Sequence, residues 1–262
     1  MNKLSIGIKT FCRPEALYYC LNNFIFLEKY LGIQIIIADD SNEKYKKINK
    51  NIIKKFKDKN KKINIKYLDL YFDTGLSYGR NKIIENCETK YILIIDDSRT
   101  IDKNIKIYDM VYFLEETEYD LIGGIIKNRT SNNINDINSH YSGIFTNINN
   151  KNNKILINVK KTNKYIKNNY FENAYQTNIC LNCFIAKTES LLKTRWLEEL
   201  KVGEHEFFFY NFFKNNFKCA ITNNINFIQC PDNLRIYPND IGKKYRNRAD
   251  KLYQKYIKLN WL

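Results

Sequence analysis

The chain has 262 residues, of which 44% are hydrophobic and 15% aromatic, so it is neither disordered nor too short to bury a core. It contains only 9 Gly and 3 Pro, which disfavours long flexible linkers. Its formal net charge of +15 is compatible with a solvated basic surface, with attraction to a membrane or an anionic substrate, and, less well, with nucleic-acid binding.

The seven cysteines are odd in number and do not form the pattern of a disulfide framework. Cys180 and Cys183 form a single C-x-x-C pair inside an apolar run, which favours core packing over a zinc site because no second pair matches it. The start of the chain shows no signal-peptide pattern, and no apolar run is long enough to cross a bilayer. We therefore expect a cytoplasmic protein with peripheral membrane contact through its basic surface.

The first part of the chain alternates strand-like and helix-like segments. Short apolar, β-branched runs predict strands at residues 4–9, 34–38, 63–68 and 91–95. Helical spacing predicts helices at residues 16–30, within 42–62, and at 77–87, with Gly32 after the end of the first. This order predicts a doubly wound, mostly parallel α/β sheet of nucleotide-binding type. The glycine patterns of a dinucleotide fold and of a P-loop are both missing, which argues against those two classes.

The second part of the chain is less regular. We predict a helix at residues 106–118, a strand at 119–126, and hairpin-like pieces inside the Asn-rich segment 128–165. A strand at 178–187, a helix at 188–200, an aromatic helix from 203 to 213 and a late strand at 219–228 follow. Residues 243–262 are basic and are predicted to form a helical tail.

Charged side chains follow two of the predicted strands. Residues 39–41 and 96–98 both read Asp-Asp-Ser, and ligands collect at the carboxyl ends of such strands. Adjacent carboxylates repel, so a cation or water should lie beside Asp96 and Asp97. A divalent metal with a phosphate is one interpretation of this stretch, and a polar turn after the strand is the other. Arg80, at a helix start, suits a phosphate or a base edge, or else pairs with an acid. Glu204 and Glu206 begin another helix, where one could be a general base or both could be helix-end charges.

Taken together, these segments resemble the blocks of the GT-A glycosyltransferases of family-2 type, most closely the β-1,4-N-acetylgalactosaminyltransferases of the GM2 synthase type. The blocks that carry the resemblance are residues 8–14, 37–41, 79–81, 89–97, 120–124, 182–186 and 206–209. The resemblance implies a GT-A fold, with a single Rossmann-like, mostly parallel sheet flanked by helices and a smaller acceptor-side region. It further implies a glycosyltransferase domain over 1–242, with a nucleotide-binding half at 1–127, an acceptor and catalytic half at 128–242, and the tail at 243–262.

The same resemblance implies an inverting transferase that moves a HexNAc or hexose from a UDP-linked donor to a hydroxyl of a glycan or glycoconjugate. It assigns roles in the nucleotide cleft to Thr10 and Arg13, in uracil contact to Asp40, and near the base or phosphate to Arg80. Asp96 and Asp97 stand where the family holds ribose and a divalent metal, Mn²⁺ or Mg²⁺. Glu206 matches the catalytic base, with Glu204 as its rival. Nucleic acid is not an expected partner.

Two departures from the family pattern bear on the metal. Ser98 stands where an acid is usual, and residues 229–231 read Gln-Cys-Pro where a His ligand is usual; His140 and His205 lie elsewhere. Either the metal is held weakly, or Asp97 replaces the missing ligand, or cations such as Arg99 neutralise the diphosphate. An inactive relative that binds a glycan or nucleotide is the alternative function. A nucleotidyltransferase would need a Gly-rich, Lys-containing loop after the first strand, and residues 10–14 do not supply one.

Overall fold

The structure, a computed structural model, describes residues 3–29, 33–102, 104–130, 133–135, 141–151, 154–161, 164–234, 237 and 256–262. The helices are α1 Pro14–Asn22, α2 Glu43–Lys59, α3 Gly75–Glu85, α4 Ile107–Glu116, α5 Thr188–Thr194 and α6 His205–Lys214, with 3-10 turns at Ile25–Lys29 and Asp232–Leu234. The strands of the first half are β1 Leu4–Thr10, β2 Gln34–Asp39, β3 Asn64–Asp69, β4 Tyr91–Asp96, β5 Arg99–Ile101, β6 Leu121–Thr130 and β7 Asn133–Asn135. Those of the second half are β8 Ile144–Lys151, β9 Lys154–Lys160, β10 Ala174–Thr177, β11 Phe184–Lys187, β12 Cys219–Gln229 and β13 Ile257–Trp261.

A ten-stranded sheet forms the centre of the molecule, in the order β10-β12-β6-β11-β4-β1-β2-β3, with β5 paired to β12 and β7 to β6. Strands β3, β2, β1 and β4 are mutually parallel, which confirms the predicted doubly wound, mostly parallel α/β sheet. Strand β11 lies antiparallel between β4 and β6, and β12 returns parallel to β6. The helices flank this sheet, as the GT-A resemblance implied.

Strand β4 shows why the sheet is buried on both faces. Tyr91, Leu93 and Ile95 point into one core cluster, which contains the apolar sides of α1, α2 and α4. Ile92 and Ile94 point into the other cluster, which contains those of α3, α5 and α6. Because successive side chains of a strand alternate between faces, an unbroken apolar run fills both cores at once.

A second, three-stranded sheet is built from β8, β9 and β13. The β8–β9 pair is antiparallel, as expected for a hairpin. Strand β9 confirms the piece predicted at 154–159, whereas β8 begins at Ile144 and ends at Lys151, later than the piece predicted at 141–145. Strand β13 pairs in parallel with β9, so the prediction of a helix is wrong for residues 257–261; residues 243–255 lie outside the described part. Ile257 and Leu259 are buried while Lys258 is exposed, and this alternation is the period of a strand.

Other element boundaries also differ from the predictions. Only Phe184–Lys187 of the strand expected at 178–187 pairs in the sheet, and the helix expected at 188–200 ends at Thr194. The helix ends because Arg195 leaves the helical conformation, with φ +51° and ψ 156°. The next residue, Trp196, exchanges hydrogen bonds with the Asn81 side chain: its N–H donates to Oδ1 at 2.9 Å, and its carbonyl accepts from Nδ2 at 2.8 Å. The first helix is also shorter than predicted, since α1 ends at Asn22 and a 3-10 turn continues to Lys29. Gly32, predicted to follow that helix, lies outside the described residues.

All seven cysteines are free thiols, and Cys180 and Cys183 are both buried in the core. Over the described ranges, no helix combines the length and the apolar character that a membrane span requires.

Candidate functional site

The candidate site lies at the edge where β1, β2 and β4 end. Strand β1 lies between the other two, with Thr10 opposite Asp39 on β2 and Lys9 opposite Asp96 on β4. The two Asp-Asp-Ser segments therefore flank the end of β1, as expected for parallel strands that end at one edge of a sheet. The structure then shows which cations balance these acids.

Asp40 is fully buried and anchors the start of α3. Its Oδ2 accepts a hydrogen bond from the backbone N–H of Gly75 at 2.7 Å, and its Oδ1 accepts from Lys9 Nζ. A carboxylate at a helix N-terminus is stabilised by the helix dipole and by unpaired N–H groups. Both oxygens of Asp40 thus have internal donors, and its contact with a uracil stays a prediction.

Asp97 is also fully buried and joins Thr10 to Arg13. Its Oδ2 accepts a hydrogen bond from Thr10 Oγ1 at 2.8 Å, and its Oδ1 forms an ion pair with Arg13 Nη2. Burial raises the pKa of the Asp97 carboxyl, and Arg13 opposes this rise. The structure therefore brings together three residues predicted for the nucleotide and metal sites, but it uses Asp97 as the partner of an arginine.

Arg80 connects the end of β4 to the start of α6. Its Nη2 donates to Asp96 Oδ1 at 2.8 Å, and its Nη1 forms an ion pair with Glu204. Arg99 approaches the other oxygen of Asp96 at 3.8 Å. Burial favours the protonated form of Asp96, but Arg80 and Arg99 outweigh it and lower the pKa of this carboxyl below its ordinary value. Arg80 itself is 1% exposed, so this bridge lies inside the protein.

Glu206 differs from Glu204 in its environment. Glu204 is 4% exposed and is paired with Arg80, whereas no lysine or arginine of the described residues forms an ion pair with Glu206. Its Oε1 accepts a hydrogen bond from the Tyr141 hydroxyl at 2.8 Å. Burial raises the pKa of the Glu206 carboxyl, and the Tyr141 bond lowers it in part. Such a carboxylate can accept a proton, while Glu204 is held by a cation.

Tyr141 is fixed by two aromatic neighbours. Its ring lies 5.3 Å from the ring of His205 and 4.8 Å from that of Trp261, centroid to centroid. Burial lowers the pKa of His205 to about 3, so this imidazole is neutral at physiological pH. The three-stranded sheet thus positions, through Trp261 and Tyr141, the hydrogen bond to Glu206.

The described residues do not fit the predicted divalent-metal site. Asp96 and Asp97, the predicted ligands, are paired with arginines, and Ser98 supplies no carboxylate. Cys230 follows the end of β12, at the place where a His ligand was expected, and supplies a thiol there. Its backbone N–H donates to the Ser98 carbonyl at 2.8 Å, which holds this segment beside the acids. In the part of the chain that the structure describes, no group of three or more His, Cys, Asp and Glu side chains could hold a metal ion. His140 lies outside that part.

Sequence reasoning missed two residues of this site. Lys9 had a signal, since a lysine inside an otherwise apolar strand needs a buried acid, and Asp40 is that acid. Tyr141 had none, because it borders an Asn-rich segment without a readable period.

Comparison with known proteins gives a family match. The profile described as Glycosyl transferase family 2 matches residues 5–180. The chain is 33% identical over 132 residues to β-1,4 N-acetylgalactosaminyltransferase 2 of Mus musculus, which covers 49% of this chain and 22% of that protein. It is 28% identical over 127 residues to β-1,4 N-acetylgalactosaminyltransferase 1 of Homo sapiens, covering 47% and 20%. The matched segment is thus a minor part of these relatives.

Solved structures share the fold at low identity. The S. aureus TarS 1–349 crystal structure in complex with UDP-GlcNAc has a TM-score of 0.60 and 16% identity, covering 87% of this chain and 58% of that one. The crystal structure of GalNAc-T7 with UDP, GalNAc and Mn²⁺ has a TM-score of 0.64 and 14% identity, covering 87% and 44%. At these identities the comparison supports the GT-A fold alone.

Proposed function

The chain belongs to glycosyl transferase family 2, and on that basis we propose that it transfers a HexNAc or hexose from a UDP-linked donor to a hydroxyl of a glycan or glycoconjugate. The observation that carries this proposal is the Arg80 bridge. This bridge holds the first turn of α6, which contains Glu206, against the end of β4, where we place the donor. The UDP and UDP-GlcNAc in the TarS structures support a UDP-linked donor.

In the proposed reaction, Glu206 takes the proton of the acceptor hydroxyl. That oxygen forms a bond to the anomeric carbon as the bond from this carbon to the diphosphate oxygen breaks. A single displacement of this kind inverts the anomeric configuration, and the electron pair of the broken bond leaves with UDP. A general base works best when its pKa lies near the working pH, and the raised pKa of Glu206 moves it in that direction.

The remaining site residues have supporting roles in this proposal. Thr10, Arg13 and Asp96 form the donor edge, together with Arg80 and Asp40, which hold the helix starts around it. Glu204 is the anchor of Arg80 rather than the base. We assign the nucleotide-binding half to residues 1–127 and the acceptor half to 128–242, since Tyr141, Glu204 and Glu206 all lie in the second range.

The test is a UDP-release assay with UDP-GlcNAc, UDP-GalNAc, UDP-Glc and UDP-Gal, with and without Mn²⁺ and saccharide acceptors. Glu206→Gln and Glu206→Ala should keep donor binding and lose transfer, about 100-fold or more, which is the range for a general base. Asp96→Ala should abolish turnover; because it also removes one carboxylate partner of the buried Arg80, which keeps Glu204, its folding is checked by circular dichroism. Glu189→Gln, on the exposed side of α5, is the matched control and should match the wild type. Full activity of Glu206→Gln would move the base role to Glu204.

An inactive binding protein is the second candidate, favoured by the lack of fit to a metal. It predicts that UDP-sugars raise the melting temperature of the protein while no donor is turned over in either condition. Transfer or hydrolysis above the Asp96→Ala background excludes it. Absence of both binding and turnover would contradict both candidates.

We also propose a cytoplasmic location with transient contact to an anionic bilayer. The seven free thiols suit a reducing compartment. Helix α2 carries exposed lysines along its length, and a groove between α1 and α2 is lined by Lys55, Lys59 and the exposed apolar side chains Tyr18 and Ile25. Lysines beside exposed apolar groups fit an anionic lipid surface better than they fit nucleic acid.

Vesicle sedimentation tests this surface. The protein should sediment with phosphatidylcholine–phosphatidylglycerol vesicles and not with phosphatidylcholine alone. Lys55→Glu/Lys59→Glu should weaken this binding, since each basic residue near such a surface contributes about 1 kcal/mol. Lys193→Glu/Lys214→Glu, on α5 and α6, should not. Equal loss in both double variants would mean that only net charge matters and would remove the assignment to this groove.

A further inference from the structure

The acids of the candidate site are balanced internally. Four carboxylates are paired with four cations, so the formal charge of this set is zero; the pairs are Asp40–Lys9, Asp97–Arg13, Asp96–Arg80 with Arg99, and Glu204–Arg80. A divalent cation would have to displace arginines from carboxylates that are already desolvated. Each displaced arginine then loses a carboxylate partner, which is costly for a buried charge.

Two of these arginines have donors to spare. Arg13 and Arg99 are 11% and 19% exposed, so both reach the surface of the site edge. The Nε atom of each is buried without a hydrogen-bond partner. Arg99 is loosely held: it lies 3.8 Å from Asp96 Oδ2, and its Nη1 donates to the Asn182 carbonyl at a long 3.3 Å. A guanidinium has five N–H donors, so each arginine can serve its carboxylate and a second anion.

Each of the two arginines pairs with a different member of the adjacent acids, Arg13 with Asp97 and Arg99 with Asp96. Arg13 bonds to Asp97, and its guanidinium lies 4.6 Å from the Tyr237 ring centre, which fixes its plane. Arg99 begins β5, directly after the turn that follows Asp96. An anion bound at this edge would therefore meet cations from two separate segments of the chain, the residue before α1 and the start of β5.

We propose that Arg13 and Arg99 hold the diphosphate of the donor and that donor binding needs no divalent cation. This inference rests on the proposed function, since it assigns the diphosphate part of the same site. Two guanidinium groups supply the two positive charges that a divalent metal would supply, and their paired N–H groups match phosphate oxygens. As the bond from sugar to diphosphate breaks, the same donors stabilise the charge that develops on the leaving oxygen.

The test is the affinity for UDP, measured by titration calorimetry in EDTA and again in Mn²⁺. We expect the wild-type dissociation constants to agree within about threefold. Arg99→Gln should weaken UDP binding in EDTA by about 10–100-fold, the loss typical of a charged hydrogen bond, and Arg99→Lys should weaken it less. Arg195→Gln, an exposed arginine paired with Glu85, should bind UDP like the wild type.

The outcomes separate this inference from the proposed function. UDP binding that is lost in EDTA and restored by Mn²⁺ overturns the inference and leaves the function standing. Wild-type-like binding by Arg99→Gln in EDTA also overturns it. Absence of UDP binding in both conditions overturns the proposed function and this inference together. The wild-type comparison needs no variant, so it holds even if Arg99→Gln fails to fold.

Discussion

Replacing Arg80 by Met should destabilise the protein strongly, because Arg80 is the shared partner of two acids. The change keeps most of the side-chain length and removes both ion pairs, leaving Glu204 and Asp96 without this cation. Glu204 is 4% exposed, so its charge would remain in a low-dielectric environment. Asp96 is 17% exposed and keeps Arg99 at 3.8 Å, so most of the penalty comes from Glu204.

Breaking one buried ion pair by removing one partner costs about 3–5 kcal/mol, and we expect the loss in free energy of unfolding to lie in that range. For a chain of this size, this corresponds to a fall in melting temperature of roughly 6–20 °C. Urea titration followed by far-UV circular dichroism measures the effect. Arg195→Met is the control, since its exposed ion pair with Glu85 should contribute less than about 1 kcal/mol.

Two further measurements identify the cause. Arg80→Met/Glu204→Gln should recover about 1–3 kcal/mol, because the buried charge is gone although its hydrogen bonds are not replaced. The stability gap between wild type and Arg80→Met should narrow as the pH falls below the ordinary pKa of an aspartate, about 4. Against the effect of burial, Arg80 lowers the pKa of wild-type Asp96, so the wild type loses this stabilisation when Asp96 takes up a proton, whereas the variant has already lost it. A loss under about 1 kcal/mol, or a double variant no more stable than the single one, would refute this reasoning.

Three other predictions follow from the contacts. Tyr141→Phe removes the hydrogen bond that lowers the pKa of Glu206, so the acidic limb of the kcat/KM profile should move to higher pH. An unmoved limb would contradict Glu206 as the base. Gly75→Ala should lower the free energy of unfolding by about 1–3 kcal/mol, because φ is +94° at this position and a Cβ would lie 2.7 Å from the Lys201 backbone. Urea unfolding measures this loss, and a loss no greater than that of an exposed Gly→Ala change would contradict the prediction. His205 has a folded pKa of about 3, below its ordinary 6.5, so the stability that neutral His205 contributes above pH 6.5 is lost as the pH falls towards 3. Between about pH 7 and pH 4.5, the wild type should therefore lose about 1–2 kcal/mol more than His205→Gln. Thermal melts at several pH values measure this difference.

The parallel half of the sheet could be predicted because its signals are local. A strand such as β4 is buried on both faces, so it needs an unbroken apolar run, and that run is visible in the sequence. Its carboxylates could be placed at the sheet edge for the same reason. The partner of each carboxylate could not be predicted from the sequence, because the partners come from distant segments. Asp40 pairs with Lys9 on β1, and Asp97 pairs with Arg13 in the loop after β1.

The metal site shows which part of the candidate site could be predicted from the sequence. Ser98 signalled that the acid set was incomplete, and it left three explanations open. The geometry narrows them, because Asp97 is already bonded to Arg13 and Thr10 and so does not stand in for the missing ligand. The distinction between Glu204 and Glu206 also needed the structure, since both begin the same helix and only their neighbours differ.

The last strand was mispredicted although its signal was present. Residues 257–261 alternate apolar and polar side chains, but the aromatic and basic residues before them favoured a helical reading. A five-residue alternation is too short to outweigh such a context without knowledge of a partner strand, here β9.

The Arg80 bridge also sets the order in which the site can assemble during folding. Arg80 and Asp96 are 16 residues apart, whereas Arg80 and Glu204 are 124 apart. Contacts of long sequence separation form late, because the loop between them must first be closed. The contact between Arg80 and Asp96 can therefore form before helix α6 arrives with Glu204 and Glu206. The acid that we propose as the general base thus reaches the end of β4 only through a contact of long sequence separation.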